Sequence, residues 1–400
     1  MIIKRKLFEE IEKYLESKEA IVVTGMRRVG KTTLLNFFYK KIESENKIFL
    51  DLEDPLNQRI FREESFEQIK SNLERYGFNF SKKGYIFLDE IQTLRNLPSI
   101  VKYLYDHYHI KFFLTGSASF YLKNLFSESL AGRKYIFELY PLDFEEFLWF
   151  KNIPHKLPSF DEKVNKFTYL LFAPLVNEYL EWGGMPEVVL KENKEEKKMA
   201  LRDIFTSYFQ KEVVNLGDFR KNEVIRDLII LLIKRTGQKI DIQKVAAELG
   251  VARQTVYEYL EFLNSTYFIS LLPAIGKTDV SLRKQKKVYL IDTGFFSFLS
   301  GVPGSSILEN AVYIQLRNKG EVLYFQKHNQ EIDFVLKRAS DEIIAFEVKE
   351  TATPYDIKRL KRISNKLGIK ESFVISFNHR EEEGIKYLFQ LPSLPKLTHI

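Results

Sequence analysis

The sequence predicts an α/β protein whose first domain is built around a parallel sheet. Two observations support this prediction. Apolar runs typical of buried strands recur through the amino-terminal third, with apolar residues at helical spacing before and between them. Each run ends in glycine, hydroxyl or acidic residues, which is typical of strands that gather functional groups at one edge of a sheet. The chain has 400 residues, more than one core usually holds, so two or three domains are expected.

Composition limits the classes of protein to which the chain can belong. The apolar fraction is 45%, and 61 lysines and arginines against 54 acidic residues give a net charge of +7 and a pI near 9.0. This charge permits an anionic partner without requiring one. The sequence has no cysteine, which excludes disulfides and thiolate metal sites. Because the apolar run 228–233 is too short to cross a bilayer and residues 1–6 lack a signal-peptide core, we expect a soluble, cytoplasmic protein without a membrane partner.

Residues 21–38 contain a strand, a glycine loop and a helix in direct succession. After a predicted helix over 7–15, the apolar residues 21–23 lead into the letters GMRRVGKT at 25–32 and then into the apolar residues 34–38. The pattern G-x-x-x-x-G-K-T between a strand and a helix is a P-loop, which binds nucleotide phosphates. An ordinary glycine turn is the alternative, and the order of strand, loop and helix argues against it.

The residue types in this loop each have a chemical role. Gly25 and Gly30 let successive backbone N–H groups face a phosphate, and the following helix adds its positive end. Lys31 is predicted to reach the β and γ phosphates, and the hydroxyl of Thr32 is predicted to bind Mg²⁺. The other predicted nucleotide contacts within the motif are Arg28 and Thr33.

A pair of carboxylates follows the third predicted strand. After a second strand over 47–52, the apolar run 84–88 leads directly into Asp89 and Glu90. This pattern is typical of a Walker B motif. Asp89 is predicted to hold the hydration shell of Mg²⁺, and Glu90 to orient or deprotonate the attacking water. Such a pair can also be a solvated loop, but downstream of a P-loop we favour the functional interpretation.

The fourth predicted strand, 110–114, ends in small hydroxyl residues. Because such strand ends gather at the ligand edge of a parallel sheet, Thr115 or Ser117 is a candidate sensor of the γ phosphate. A helix cap by Ser117 or Ser119 is an equal alternative. Farther on, Arg133 is a candidate finger that would complete the site of a neighbouring subunit in a homo-oligomer, and an ordinary surface arginine is the alternative.

Five motifs, taken in order, resemble those of a group of archaeal and bacterial AAA+-type ATPases that carry a carboxyl-terminal domain of unassigned function. They lie at 25–32, 88–90, 114–117, 131–133 and 138–142. The resemblance implies ATP and Mg²⁺ as cofactors, and it places the finger role of Arg133 level with that of an ordinary surface arginine. It also implies a helical lid, which begins near 140–147 and includes the Gly-Gly-x-Pro segment at 183–186. The residues themselves do not distinguish ATP from GTP.

Three short helices, at 227–234, 242–249 and 253–263, predict a helix-turn-helix because Gly250 closes the second helix before the third begins. Strands over 268–272 and 287–291 would form its wing. The third helix carries residue types that contact phosphates or base edges, namely Arg253, Gln254, Thr255 and Tyr257. Glu258 and Glu261 on the same helix would repel DNA. Winged helices also dock proteins, so DNA and a protein partner both remain candidates.

The last segment has the order helix, three strands, helix and strand. These elements are predicted at 307–317, 322–325, 331–336, 343–349, 354–367 and 373–376. The order is similar to the restriction-endonuclease-like fold, and four residues fall where PD-(D/E)xK nucleases have their acids and lysine: Glu309, Asp333, Glu347 and Lys349. Asp333 and Glu347 would share a divalent ion such as Mg²⁺, and Lys349 would steady the attacking water. A charged network in a fold without activity is the alternative.

We therefore predict an ATPase domain over 1–150, a helical lid over 151–220, a winged helix over 221–285 and a nuclease-like domain over 286–400. The leading hypothesis is an ATP-hydrolysing AAA+-type protein that couples hydrolysis to its carboxyl half. A second hypothesis is a DNA endonuclease that depends on Mg²⁺ and is regulated by ATP. A third is a nucleotide switch that turns over slowly and scaffolds protein partners.

Overall fold

The structure, a computed structural model, describes residues 2–62, 65–117, 132–216, 222–275, 285–298, 304–338 and 342–395. The chain forms two compact units. The first comprises Met1–Tyr140 together with Ser265–Tyr267, and the second comprises Pro141–Asn264 together with Phe268–Ile400. The predicted residues Ser119 and Ala131 lie outside the described part of the chain.

The first unit is an α/β layer around a parallel sheet. Its described strands are β1 (Ala20–Thr24), β2 (Lys47–Asp51), β3 (Gly84–Asp89), β4 (Ile110–Gly116) and β5 (Lys134–Glu138). Its described helices are α1 (Lys6–Glu12), α2 (Lys31–Lys41), α3 (Pro55–Ile60), α4 (Phe66–Arg75) and α5 (Leu97–His107). The strands pair in the order β2-β3-β4-β1-β5, and every pair is parallel. The parallel sheet predicted from the sequence is therefore present.

The parallel arrangement decides where the polar residues of this unit collect. Strands β1, β3 and β4 are buried along their whole length, which is why they appear in the sequence as unbroken apolar runs. Phe87 and Phe113 stack across neighbouring strands with their ring centroids 4.5 Å apart. Since all five strands run the same way, Thr24, Asp89 and Gly116 end at one edge of the sheet.

The second unit contains the remaining elements. Its described helices are α6 (Phe144–Phe150), α7 (Lys166–Trp182), α8 (Pro186–Val189), α9 (Lys194–Tyr208), α10 (Asn222–Lys234), α11 (Ile242–Leu249), α12 (Arg253–Ser265), α13 (Gly304–Leu316) and α14 (Pro354–Lys366). Its described strands are β6 (Ile269–Leu272), β7 (Lys287–Leu290), β8 (Glu321–Lys327), β9 (Gln330–Lys337), β10 (Ile343–Lys349), β11 (Glu371–Ser376) and β12 (Ile385–Lys386). Ser265, the last residue of α12, is grouped with the first unit.

The carboxyl-terminal sheet has the order β12-β11-β10-β9-β8. Strand β9 pairs antiparallel with both β8 and β10, whereas the pairs β10–β11 and β11–β12 are parallel. From α13 to β11 the elements follow the predicted order of helix, three strands, helix and strand. The assignment of this sheet to a nuclease-like fold stays a prediction.

One apolar core runs through much of the second unit. It includes Leu142 and Phe144 near its start, Tyr179 in α7, and residues of the carboxyl-terminal sheet as far as Leu394. Because α6 packs into this core, the compact units divide at Tyr140 and not at the predicted boundary of about 150. The segment predicted as a lid is helical over α7, α8 and α9, and the assignment as a lid stays a prediction.

The segment predicted as a winged helix has three helices and a strand pair, and its assignment as a winged helix stays a prediction. Helices α10, α11 and α12 are followed by the antiparallel pair β6 and β7. Gly250 ends α11 with a φ of 65°, a left-handed conformation that glycine adopts without strain. Among the helices of the described residues, none is both long and apolar enough to pass through a membrane.

Candidate functional site

The P-loop joins β1 to α2 at the carboxyl edge of the first sheet. At its start, a Cβ on Gly25 would lie 2.1 Å from the carbonyl oxygen of Leu139, so a side chain there would displace the backbone beyond β5. At its end, Gly30 precedes α2 with a φ of 104°. The two glycines predicted from the motif therefore lie where the backbone requires them.

The lysine and threonine of the motif lie at the start of α2. Lys31 is 4% exposed, and its Nζ donates to the carbonyl oxygens of Gly25 and Met26, each at 3.0 Å. The hydroxyl of Thr32 donates to Oδ2 of Asp89 at 2.5 Å. A second hydroxyl, that of Thr115, donates to Oδ1 of the same carboxylate. The structure thus brings together the motif threonine, the carboxylate at the end of β3 and the hydroxyl at the end of β4.

Burial makes the Asp89 carboxylate costly to ionise. Asp89 is 2% exposed, and this burial raises its pKa above the ordinary value. The hydrogen bonds from Thr115 and Thr32 oppose the rise, the Glu90 charge adds to it, and the Lys31 ammonium opposes it. A divalent cation bound here would favour the ionised carboxylate.

Glu90 lies next to Asp89 in a left-handed backbone conformation with a φ of 53°. Its Oε1 accepts from Nη1 of Arg27 at 3.2 Å, and its Oε2 accepts from Nε2 of Gln92 at 2.5 Å. The Gln92 amide also donates to the hydroxyl of Ser117 at 2.9 Å. Glu90 and Ser117, which were predicted separately, are therefore linked through Gln92, which the sequence did not single out.

Arg27 is a further residue that the motif pattern did not predict. It occupies a variable position between the two P-loop glycines, is 8% exposed, and pairs with both Glu90 and Glu53. Glu53 follows β2, whose last residue is opposite Asp89 in the sheet. An arginine inside a phosphate-binding loop is the signal that could have identified it.

A tyrosine from far along the chain also belongs to this unit. The hydroxyl of Tyr267 is hydrogen-bonded to Oγ1 of Thr24 at 2.6 Å and donates to Oε1 of Glu138 at 3.0 Å. Thr24 is the residue immediately before Gly25. Arg5 also contacts the loop. Its guanidinium donates to the carbonyl oxygen of Val29, within the loop, and to that of Tyr140.

Arg133 lies away from this group. Its guanidinium pairs with Asp106, with Nε 2.8 Å from Oδ1, and its carbonyl oxygen accepts from the backbone N–H of Ala20 at the start of β1. Arg133 is therefore at the amino edge of the sheet, opposite the P-loop, and does not reach the site of its own chain. Of the other predicted contacts, Arg28 and Thr33 are exposed, and Arg28 has a φ of 63°.

The four residues predicted as a nuclease site lie in the second unit, where a lysine accompanies the acids. Lys287 in β7 is 3% exposed, and its Nζ lies 3.3 Å from Glu309, 2.8 Å from Glu331 and 3.7 Å from Asp333. Burial lowers the pKa of Lys287, but these carboxylates outweigh it and raise that pKa above its ordinary value. Burial and the Asp333 charge raise the pKa of Glu309 to about 7.

Glu347 and Lys349 form a second part of this charged group. Oε1 of Glu347 pairs with Nζ of Lys349 at 2.8 Å and with the guanidinium of Arg359, and Oδ2 of Asp333 accepts from the backbone N–H of Val348. Across the described residues, no three His, Asp or Glu side chains are arranged to hold a metal ion. The predicted acids are thus neighbours, and lysine and arginine neutralise much of their charge.

Family models match three segments of the chain. Residues 17–148 match a family described as an AAA domain, and residues 173–306 and 305–394 match two domains of unknown function, DUF8612 and DUF4143. Among solved structures, the Walker-type ATPase PABY2304 of Pyrococcus abyssi is 14% identical with a TM-score of 0.45, covering 73% of this chain and 94% of that one.

Two relatives extend over most of the chain. An uncharacterized protein of Haemophilus influenzae is 26% identical over 412 residues, which cover 97% of each chain. The uncharacterized protein MJ1544 of Methanocaldococcus jannaschii is 31% identical over 367 residues, which cover 88% of this chain and 80% of the relative. The chain therefore belongs to a family of P-loop ATPases with an amino-terminal AAA domain, the family that it shares with MJ1544.

Proposed function

We propose that the protein binds ATP with Mg²⁺ at the carboxyl edge of its first sheet and hydrolyses it. The observation that carries this proposal is the 2.5 Å hydrogen bond between the Thr32 hydroxyl and Asp89. It joins the two oxygen ligands that P-loop hydrolases use for the magnesium site, one from the loop and one from a strand end. Both oxygens are hard ligands of the kind that Mg²⁺ prefers.

The remaining residues of the loop fit a triphosphate. Gly25 lies against the Leu139 carbonyl with no room for a Cβ, which fixes the start of the loop beside the end of β5. The Lys31 ammonium donates to loop carbonyls that a phosphate oxygen can replace as acceptor. When bound, the magnesium ion supplies charge neutralisation at the phosphoryl oxygens.

Glu90 is proposed to orient the attacking water and accept its proton. It is next to Asp89 and held by Gln92, whose amide also contacts Ser117, so its carboxylate has a defined position. Asp89 holds its orientation through Thr32 and Thr115. These roles assign magnesium binding to Thr32 and Asp89, phosphate binding to Lys31, and water activation to Glu90.

The variant Glu90→Gln tests the assignment. It keeps the size of the side chain and an acceptor for Arg27, but it removes the base. We expect ATP affinity to stay within a few fold of the unaltered protein while hydrolysis falls by roughly a hundredfold or more. Calorimetry measures binding, and phosphate release measures turnover. Full turnover in Glu90→Gln would contradict the role given to Glu90.

The use made of this hydrolysis is proposed to involve the carboxyl half of the chain. Helix α12 exposes Arg253, Gln254 and Tyr257 to solvent, as a DNA-contacting helix would, and also Glu258 and Glu261. A phosphate contact by Arg253 predicts that Arg253→Ala lowers the slope of duplex affinity against salt by about one. An unchanged slope would leave a protein partner as the occupant of this face.

A second candidate function, metal-dependent cleavage of DNA, is favoured by one observation. Oε2 of Glu347 is buried and has no hydrogen-bond partner among the described residues, although Oε1 of the same carboxylate is paired twice. Such an oxygen beside Asp333 is a candidate ligand for a divalent cation. Lys287 opposes this function, because its ammonium already neutralises part of the acidic group.

Incubation of plasmid DNA with the protein, ATP and Mg²⁺ or Mn²⁺ tests the second candidate. Cleavage that Asp333→Ala abolishes would support it. Intact plasmid under every condition would reject it and leave ATP hydrolysis alone.

A third candidate, a nucleotide switch that scaffolds partners, predicts very slow turnover and nucleotide that co-purifies with the chain. Sizing the particle with and without nucleotide tests whether Arg133 of one copy serves the site of another.

A further inference from the structure

Arg27 links two acidic residues at the nucleotide edge of the first sheet. Its Nη1 lies 3.2 Å from Oε1 of Glu90, and its Nη2 pairs with Oε1 of Glu53. The side chains of Arg27 and Glu90 are 10% and 11% exposed, whereas that of Glu53 is 33% exposed. One guanidinium therefore bridges the proposed catalytic base and a carboxylate that follows β2.

Arg27 lies in the loop that is proposed to bind the phosphates of the nucleotide. Arg27 belongs to the loop GMRRVGKT, between the two glycines of the proposed phosphate-binding loop. A guanidinium binds a phosphate through two parallel hydrogen bonds as readily as it binds a carboxylate. Phosphate bound in this loop would therefore compete with Glu53 and Glu90 for the same guanidinium.

We propose that Arg27 is a positioning residue that holds Glu90 until a nucleoside triphosphate enters the loop, and that the γ-phosphate then draws the guanidinium away from Glu90. This inference rests on the proposed ATP hydrolysis. Leaving a buried guanidinium unpaired is costly, so Arg27 moves only where another anion replaces its carboxylate partners. After the move, Glu90 keeps its hydrogen bond from Gln92. The γ-phosphate is such an anion, and a diphosphate lacks it. Release of Glu90 is thereby tied to a nucleotide that can be hydrolysed.

Glu53 sets how firmly the guanidinium is held. Glu53 is the more exposed of the two carboxylates, so its contact with the guanidinium is the weaker one and can be removed at a lower cost in stability. Removing its charge weakens the bridge without touching Glu90. The proposal therefore predicts effects of opposite sign for Arg27→Ala and Glu53→Gln. If the ion pairs of Arg27 only stabilise the fold, both variants should lower the melting temperature, and the affinities for ATP and ADP should change by the same factor.

The experiment measures calorimetric affinities for ADP and for a non-hydrolysable ATP analogue, alongside kcat and KM. For Arg27→Ala we expect the preference for the triphosphate over ADP to fall roughly tenfold, the equivalent of one charge-assisted hydrogen bond. For Glu53→Gln we expect this preference to rise. Arg27→Lys keeps the positive charge but lacks the two parallel N–H donors of the guanidinium, so it should recover part of the preference. Arg62→Ala is the matched control, because Arg62 is exposed and pairs only locally with Gln58 among the described contacts.

Two results would overturn the proposal. One is an unchanged ratio of triphosphate to ADP affinity in Arg27→Ala. The other is a ratio that falls in Glu53→Gln as it does in Arg27→Ala. In both cases the unaltered protein still binds and hydrolyses ATP, so the proposed function survives. If the unaltered, folded protein binds no triphosphate, the proposed function itself fails, and the two failures are distinguishable.

Discussion

At the scale of single residues, a buried carboxylate lies against three glycines of the second unit. Asp292 is 1% exposed, and its two oxygens accept from the backbone N–H groups of Gly184 at 2.7 Å and Gly294 at 2.9 Å. A Cβ on Gly183 would lie 1.8 Å from Oδ1 of Asp292, and Gly183 has a φ of 76°. The Gly-Gly-x-Pro segment therefore surrounds a carboxylate that follows it by more than a hundred residues.

Asp292 gives the protein a measurable dependence of stability on pH. Burial raises its pKa from 3.8 to about 6, against the opposing hydrogen bonds from Gly184 and Gly294. The folded protein keeps this proton at pH values where the unfolded chain has released it. Its contribution to the free energy of unfolding therefore falls by roughly 3 kcal/mol as pH rises from about 4 to about 6.

The variant Asp292→Asn isolates this contribution from those of other groups. Denaturant unfolding at several pH values should give a shallower fall in stability across this window for the variant than for the unaltered protein. Parallel curves for the two proteins would show that Asp292 ionises in the folded state as it does in the unfolded chain.

A second prediction at this scale concerns Gly183. The variant Gly183→Ala combines a left-handed backbone with a contact on a buried carboxylate, so we expect it to lose roughly 2 kcal/mol or more of stability. Gly304→Ala is the control, since a Cβ there meets no atom within 4 Å. Thermal unfolding compares the two, and equal melting temperatures would contradict the steric argument.

At the scale of elements, the P-loop depends on the strand beside it. Strand β5 pairs with β1, and the N–H of Leu139, just after β5, donates to the carbonyl of Thr24 at 2.7 Å. The same residue presents its carbonyl oxygen to Gly25. The conformation of the loop is therefore fixed both by its own glycines and by a segment that lies about 115 residues later in the chain.

Gly25→Ala tests this dependence. A methyl group 2.1 Å from the Leu139 carbonyl forces either the loop or the end of β5 to move. We expect ATP affinity to fall roughly tenfold or more, an affinity change of ~1.4 kcal/mol, while the rest of the fold persists. Calorimetry and circular dichroism measure the two effects. An affinity equal to that of the unaltered protein would contradict the geometry given for the loop.

At the scale of the whole molecule, the first unit is completed by residues from the distant part of the chain. Ser265–Tyr267 belongs to it, and the Tyr267 hydroxyl contacts both Thr24 and Glu138. Tyr267 also has a φ of 63°, an unfavourable conformation for an aromatic residue that its surroundings must stabilise. A fragment that ends near residue 150 lacks this contact.

Tyr267→Phe measures what the contact contributes. The variant keeps the ring and removes a buried hydroxyl with two hydrogen bonds, so we expect the free energy of unfolding to fall by roughly 1–3 kcal/mol. Tyr257→Phe is the control. Tyr257 is 56% exposed on α12, so removing its hydroxyl does not remove a buried hydrogen bond. If both variants unfold at the same denaturant concentration, the hydroxyl of Tyr267 contributes nothing to the fold.

The features that were predicted from the sequence are local ones. The P-loop lies within eight residues, and the strand ending in Asp89 is an unbroken apolar run, so the parallel sheet and its functional edge could be predicted. The αβββαβ order of the last segment could be predicted for the same reason, because its strands and helices differ in period.

The features that were missed depend on residues far apart in the chain. The bridge from Arg27 to Glu90, the hydrogen bond from Tyr267 to Thr24 and the contact of Lys287 with Asp333 each join residues whose separation gives no periodic signal. The packing of α6 into the core of the second unit, which begins after Tyr140, is likewise set by tertiary contacts and not by a local pattern.

The most direct test of the account is a calorimetric titration of Mg·ATP into the folded protein and into Lys31→Ala. Lys31 is buried in the loop with its ammonium on the backbone that is proposed to surround the phosphates. We expect the unaltered protein to take up one triphosphate per chain and the variant to show no measurable uptake. Folded, unaltered protein that takes up no purine triphosphate would contradict it.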